Sequence, residues 1–286
     1  MKNKKIIQIL TTLILILLGI ATFVGLFSRN ATAFPAIRSV YGETIELYNK
    51  GIYARDSLSM GSQAVAQDFV TLVLGVPLLC ISLYLIKKKK DKGLFLLVGT
   101  TAYILYTYMS YSFLIVYNDL YLIYLLLMIL SFYTFLLSIN EINQLKLCEK
   151  YASKFHEQSL RNILWIVGGI LGLMWLGRIL PTIGTNKAPV GLEHYSTLGI
   201  QTLDLGFIVP SCIVAGILLN KKSKWGYLLG IILITKAVTM VSAVSAMTVF
   251  MRINGAYITL LETFLFPLLL IPIVYYMIKV YSWIKE

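Results

Sequence analysis

Residues 228–241 read LLGIILITKAVTMV, with Lys236 near the middle of an otherwise apolar run. The run belongs to a longer segment, Gly226–Phe250, and a helix that crosses a bilayer needs about 20 largely apolar residues. Seven other segments have comparable length and character: Ile6–Phe27, Asp68–Ile86, Gly93–Val116, Leu120–Ile139, Asn162–Leu180, Ile200–Leu219 and Ile258–Tyr281. The whole chain is 58% hydrophobic and 13% charged, against about 25% charged in soluble domains. The fold is therefore read as all-α, a polytopic membrane protein with eight transmembrane helices. Residues 1–286 form one integral membrane domain, with no room for a separate soluble one.

The formal net charge of +12 is not a nucleic-acid signature, because of where the cations lie. Lys87–Lys90 with Lys92, then Lys146, Lys150, Lys154 and Arg161, then Lys221, Lys222 and Lys224 all fall on the side of the N-terminus. The opposite loops hold fewer: Arg29, Arg38, Lys50 and Arg55, then Lys187, then Arg252. Basic residues mark cytoplasmic loops, so both termini are expected to be cytoplasmic. Ala31-Thr32-Ala33 mimics a signal-peptidase site, but the apolar run Ile6–Phe27 exceeds a secretory h-region, and a retained helix is expected. Asn30-Ala31-Thr32 matches a glycosylation sequon very close to the membrane.

Two features suggest internal organisation. Sliding the chain along itself until Pro77 falls on Pro210 also sets Lys88-Lys89 on Lys221-Lys222, and Gly93 on Gly226. That predicts two parallel four-helix repeats, 1–139 with a long outer loop 28–67, and 162–286, related by an axis along the membrane normal. Within the loop, Glu43–Asp56 carries Ile45, Leu47, Tyr48, Ile52 and Tyr53 among charges. This pattern suits a short interfacial helix, either a lid over a cavity or a segment resting on headgroups.

An intramembrane cation costs roughly 3 kcal/mol on insertion scales unless it finds a partner or water. Arg178, Asp204 and Glu262 are ionisable residues inside apolar segments of the same half as Lys236, and together the four make a neutral quartet. With a helical rise of about 1.5 Å per residue, Asp204, Glu262 and Arg178 fall in one layer near the outer ends of their helices, with Lys236 reaching up. The functional reading is a solute-binding or proton-coupling pocket; the bland one is a set of packing ion pairs. Pro77 and Pro210 each remove a backbone bond near a polar element, Asp68 and Thr71 in one half and Asp204 in the other, so either a broken-helix site or a simple kink follows. Tyr103 and Tyr106 lie too deep for an interfacial belt and need partners across helices or in a wet cavity.

No P-loop, H-E-x-x-H or G-x-S-x-G is present, so ATP-driven transport and common hydrolase chemistries have no support. His156 and His194 fall on opposite sides of the membrane, and no metal or cofactor is implied. Gly168, Gly169 and Gly172 are explained by close helix contact.

The stretches Gly51–Ser57, Gln67–Leu72, Gln201–Pro210, Trp225–Leu228 and Lys236–Met240 resemble a group of prokaryotic multi-pass membrane proteins of unknown function. The resemblance implies an eight-helix prokaryotic plasma-membrane protein and brings no activity with it. The residues themselves point to a secondary transporter or permease-like protein for a small polar or anionic solute. A membrane enzyme acting on a lipid or quinone, or a non-catalytic sensor or assembly factor, are the alternatives. The lipid bilayer is the one partner the sequence names.

Overall fold

The structure is a computed structural model that describes residues 3–29 and 33–284. The sequon and most of the Ala31-Thr32-Ala33 triplet lie outside the described residues. Among those residues, eight helical spans are long and apolar enough to cross a membrane. They are α1 (Lys4–Phe27), α2–α3 (Leu58–Lys87), α4 (Asp91–Leu114), α5 (Tyr121–Gln144), α7 with a final turn (Glu157–Thr182), α8–α9 (Gly199–Asn220), α10 (Lys224–Asn254) and α11 (Leu260–Trp283), a short helix α6 (Leu147–Tyr151) lying between α5 and α7. The all-α polytopic fold is the observed one.

α4 is the least apolar of the eight spans and the most buried, and α10 comes next in burial. The physical reason is that lipid accepts leucine and isoleucine on a helix surface but not threonine and tyrosine hydroxyls. So α4 and α10 pack against each other at the centre, with α2, α3, α5, α9 and α11 around them.

The outer loop differs from its expected form. It holds a short antiparallel pair, β1 (Ile37–Arg38) and β2 (Thr44–Ile45), and a 3-10 turn at Gly51–Tyr53, with no helix over Glu43–Asp56. The apolar residues that suggested an interfacial helix point into the protein instead. Tyr48 and Tyr53 are buried, and Gly51, at φ +55, packs its Cα against the Ser28 carbonyl. The loop also ends well before Gln67, because α2 starts at Leu58 behind the N-cap Ser57, whose side chain accepts from Met60 N. Hydropathy misses this first part of α2 because Ser62, Gln67 and Asp68 are buried against protein, not lipid.

Local backbone geometry recurs at the spacing that separates Pro77 from Pro210. α2 passes into α3 through a π-helical segment, Thr71–Gly75, and α8 passes into α9 through another, Asp204–Ile208. Each closes with an i→i+5 bond just before its proline, from Val76 N to Thr71 O and from Val209 N to Asp204 O. A proline ring clashes with the carbonyl of the preceding turn, and a wider turn there relieves the clash. At the lysine-rich end, Lys89 and Lys222 both adopt left-handed φ, +60 and +50. Gly93 and Gly226 then bring α4 and α10 against the preceding helices, where a Cβ would stand 2.7 Å from Ile86 N and 2.5 Å from Leu219 N.

Candidate functional site

Lys236 projects from α10 into the centre of the bundle and is only 7% exposed. Its Nζ lies 3.8 Å from the centroid of the Tyr106 ring on α4. Tyr106 Oη donates to Asp204 Oδ1 at 2.8 Å, and Trp175 Nε1 on α7 donates to Asp204 Oδ2 at 2.8 Å. Lys236 and Asp204 thus belong to one centre, joined through an aromatic ring rather than by direct contact. Among the described residues the Lys236 ammonium makes no hydrogen bond and no direct ion pair. A desolvated cation–π contact contributes about 2 kcal/mol, which leaves its three donors unfilled.

Arg178 reaches this centre only at the Trp175 ring, and Glu262 lies outside it. Arg178 stacks 5.7 Å from the Trp175 ring centroid and donates from Nε to the Val190 carbonyl, so it fastens the connection before α8. Glu262 is exposed. It forms a capping box with Thr259, accepting from Thr259 N at 3.0 Å and from Thr259 Oγ1 at 2.6 Å. The four-residue cluster is therefore corrected to Lys236 and Asp204 with Tyr106 and Trp175. The reason is local: Glu262 sits in the first turn of α11, where unpaired backbone N–H groups hold a carboxylate. Pro77 and Pro210 lie on the exposed surface of the bundle, and each follows a π-helical segment, so their part is in the backbone of the helix.

The equivalent place in the first half is neutral. The shift that superposes Pro77 on Pro210 also carries Thr71 to Asp204 and Tyr103 to Lys236. Thr71 Oγ1 and Tyr103 Oη are 2.8 Å apart, and Gln67 Nε2 donates to Tyr103 Oη at 2.7 Å and to Thr107 Oγ1 at 3.0 Å. So each π-helical segment starts with a polar residue facing a long polar side chain of a central helix.

Asp68, one turn before Thr71, is enclosed separately. It is 1% exposed, and Tyr53 Oη donates to its Oδ2 at 2.6 Å. Tyr111 Oη lies 3.2 Å from its Oδ1. The rings of Tyr53, Tyr108, Tyr111 and Tyr124 pack together around it, with centroids 5.1 to 6.2 Å apart. Tyr53, Tyr111, Trp175 and Gln67 carried no sequence signal as partners, because each is brought in from a different element.

Above this level the two halves are tied through their loops. Asp56 Oδ1 accepts from Val116 N and from Tyr195 Oη, both at 2.9 Å, while Ser57 Oγ donates to Glu193 Oε2. Burial pushes the Asp56 carboxyl up to about 7, against the effect of its two hydrogen bonds and with a contribution from Glu193.

Among the described residues, no group of three or more His, Cys, Asp or Glu side chains is gathered for a metal ion. In comparisons with known proteins, no family model, no curated protein and no solved structure matches this chain. The resemblance seen in the sequence therefore adds no residue roles to this geometry.

Proposed function

We propose that this protein is a secondary transporter for a small polar or anionic solute, with Lys236, Tyr106 and Asp204 as its central binding and coupling group. The observation that carries this is the Lys236 ammonium, buried between the two central helices with its donors unfilled. A purely structural ion pair would close those donors on a carboxylate, and well-packed apolar residues stabilise a core at least as well. Unfilled donors suit a carboxylate, phosphate or carbonyl group arriving from solution. The recurrence of sequence and backbone geometry between the Pro77 and Pro210 regions supports two parallel halves that meet at this centre. In that arrangement, rocking of one half on the other exposes a midplane site to either side. In this reading the lysine-rich end is cytoplasmic, in a prokaryotic plasma membrane.

The test is a thermal-shift screen of purified protein in detergent against organic anions, amino acids, sugars, nucleosides and quinones. A solute that stabilises wild type and not a folded Lys236→Met variant supports the reading, as does its uptake into vesicles driven by a pH gradient. A solute that stabilises both equally, or no uptake of any stabilising solute, removes it.

A further inference from the structure

The hydrogen bonds around Asp68 can be counted proton by proton. Tyr111 Oη has one hydrogen and two acceptors in reach, the Ala64 carbonyl at 2.8 Å and Asp68 Oδ1 at 3.2 Å, and the shorter contact places that hydrogen on Ala64. Tyr53 has one hydrogen, which it gives to Asp68 Oδ2 at 2.6 Å. Tyr124 Oη, 3.3 Å from Tyr53 Oη, is then the donor of that contact. One contact remains without a hydrogen, Asp68 Oδ1 to Tyr111 Oη at 3.2 Å. A proton on Asp68 Oδ1 fills it with Tyr111 left as it stands, whereas an ionised Asp68 fills it by drawing the Tyr111 hydrogen away from Ala64.

Among the described residues no cation touches Asp68 to hold it ionised. The groups facing it are Tyr53 from the loop, Tyr103, Tyr108 and Tyr111 from α4, and Tyr124 from α5. α1 presents Gly25, whose added Cβ would collide with Asp68 Oδ2 and stand 3.1 Å from Tyr53 Oη. On α10, which packs against α2, Lys236 is engaged with Tyr106. Gly25 also lines a cavity of about 360 Å³ with Ser28, Arg29, Tyr48 and Lys50. So Gly25 stands between Asp68 and a cavity whose lining includes two cations, Arg29 and Lys50. Those cations favour the ionised form, and they oppose the stored proton rather than produce it.

We infer that Asp68 is a proton-binding site, loaded in this conformation with the proton on Oδ1, while its other oxygen, Oδ2, lies against Gly25 and the cavity beyond it. On release, the Oδ1–H bond breaks and water takes the proton. The carboxylate left behind keeps the Tyr53 bond and gains the Tyr111 hydrogen, which turns away from Ala64. Tyr108 Oη, fully buried and without a partner, is an open oxygen of the same cluster. That this proton is the coupling ion rests on the transport reading; that Asp68 binds it does not.

Infrared spectra of the purified full-length protein between about pH 5 and about pH 10 test the site through the carbonyl stretch of a protonated carboxylic acid. Wild type is expected to show a component that titrates away with rising pH and that Asp68→Asn removes. Tyr53→Phe, which keeps the ring and deletes a donor to the carboxylate, is expected to move its midpoint to higher pH. Identical spectra for wild type and Asp68→Asn overturn the proposal. If Asp68→Asn does not fold, an unmoved midpoint in Tyr53→Phe does so instead. A titrating Asp68 in a protein whose solute uptake ignores a pH gradient keeps the site and removes transport.

Discussion

Lys236 and Asp204 meet on a single side chain: the Tyr106 ring lies 3.8 Å from the lysine ammonium, and its hydroxyl donates to the carboxylate at 2.8 Å. The two charges are therefore coupled without touching. Removing one leaves the other buried in a low-dielectric bundle, which is worse than removing both. Lys236→Met is expected to cost about 3 kcal/mol of stability, and adding Asp204→Asn to that variant is expected to recover part of the loss. Melting temperatures of the two single variants and the double variant check this. Additive losses would show that the residues are independent.

Glu262 gives the opposite expectation. Its carboxylate is exposed and spent on a capping box with Thr259. Glu262→Ala should lower stability by about 1 kcal/mol, the usual cost of a lost cap. The loss should be the same in wild type and in Lys236→Met. A different loss in the two backgrounds would return Glu262 to the central site.

Asp56 predicts a pH dependence whose sign is set by its raised carboxyl. With the folded value at about 7 and the ordinary value at 3.8, the folded protein binds the extra proton between them. The stability linked to that proton is full below about pH 4 and is lost as pH rises through about 7. Glu193, also raised by burial, acts in the same sense, while His194, lowered by burial, acts in the opposite one. Melting temperature should therefore be compared between wild type and Asp56→Asn from about pH 5 to about pH 8. The fall with pH should be shallower in the variant; parallel curves would mean that Asp56 does not titrate in this range.

Gly93 and Gly226 stand where a Cβ would meet the backbone of the preceding helix. Backbone cannot swing away as a flexible side chain can. Gly93→Ala and Gly226→Ala should each cost about 1–3 kcal/mol, the range for overpacking, and by similar amounts. Denaturation in detergent reads both, and a neutral effect at either would break the correspondence between the two turns.

Much of this protein was legible without a fold. Eight apolar segments, the basic loops, and the echo of Pro77, Lys88-Lys89 and Gly93 in the second half follow from composition and spacing, because a bilayer imposes length and polarity on every span. Lys236 and Asp204 stood out for the same reason: charges are rare in such segments and each one asks for a partner. Which partner was not legible. Glu262 and Arg178 have the right charge and depth, yet a helix end and the Val190 carbonyl claim them, since local backbone groups are nearer than a distant ion. The start of α2 escaped hydropathy because its polar face is buried in protein. The tyrosine enclosure of Asp68 draws on the loop, α4 and α5 at once, so packing in three dimensions alone decided which hydroxyl meets which oxygen.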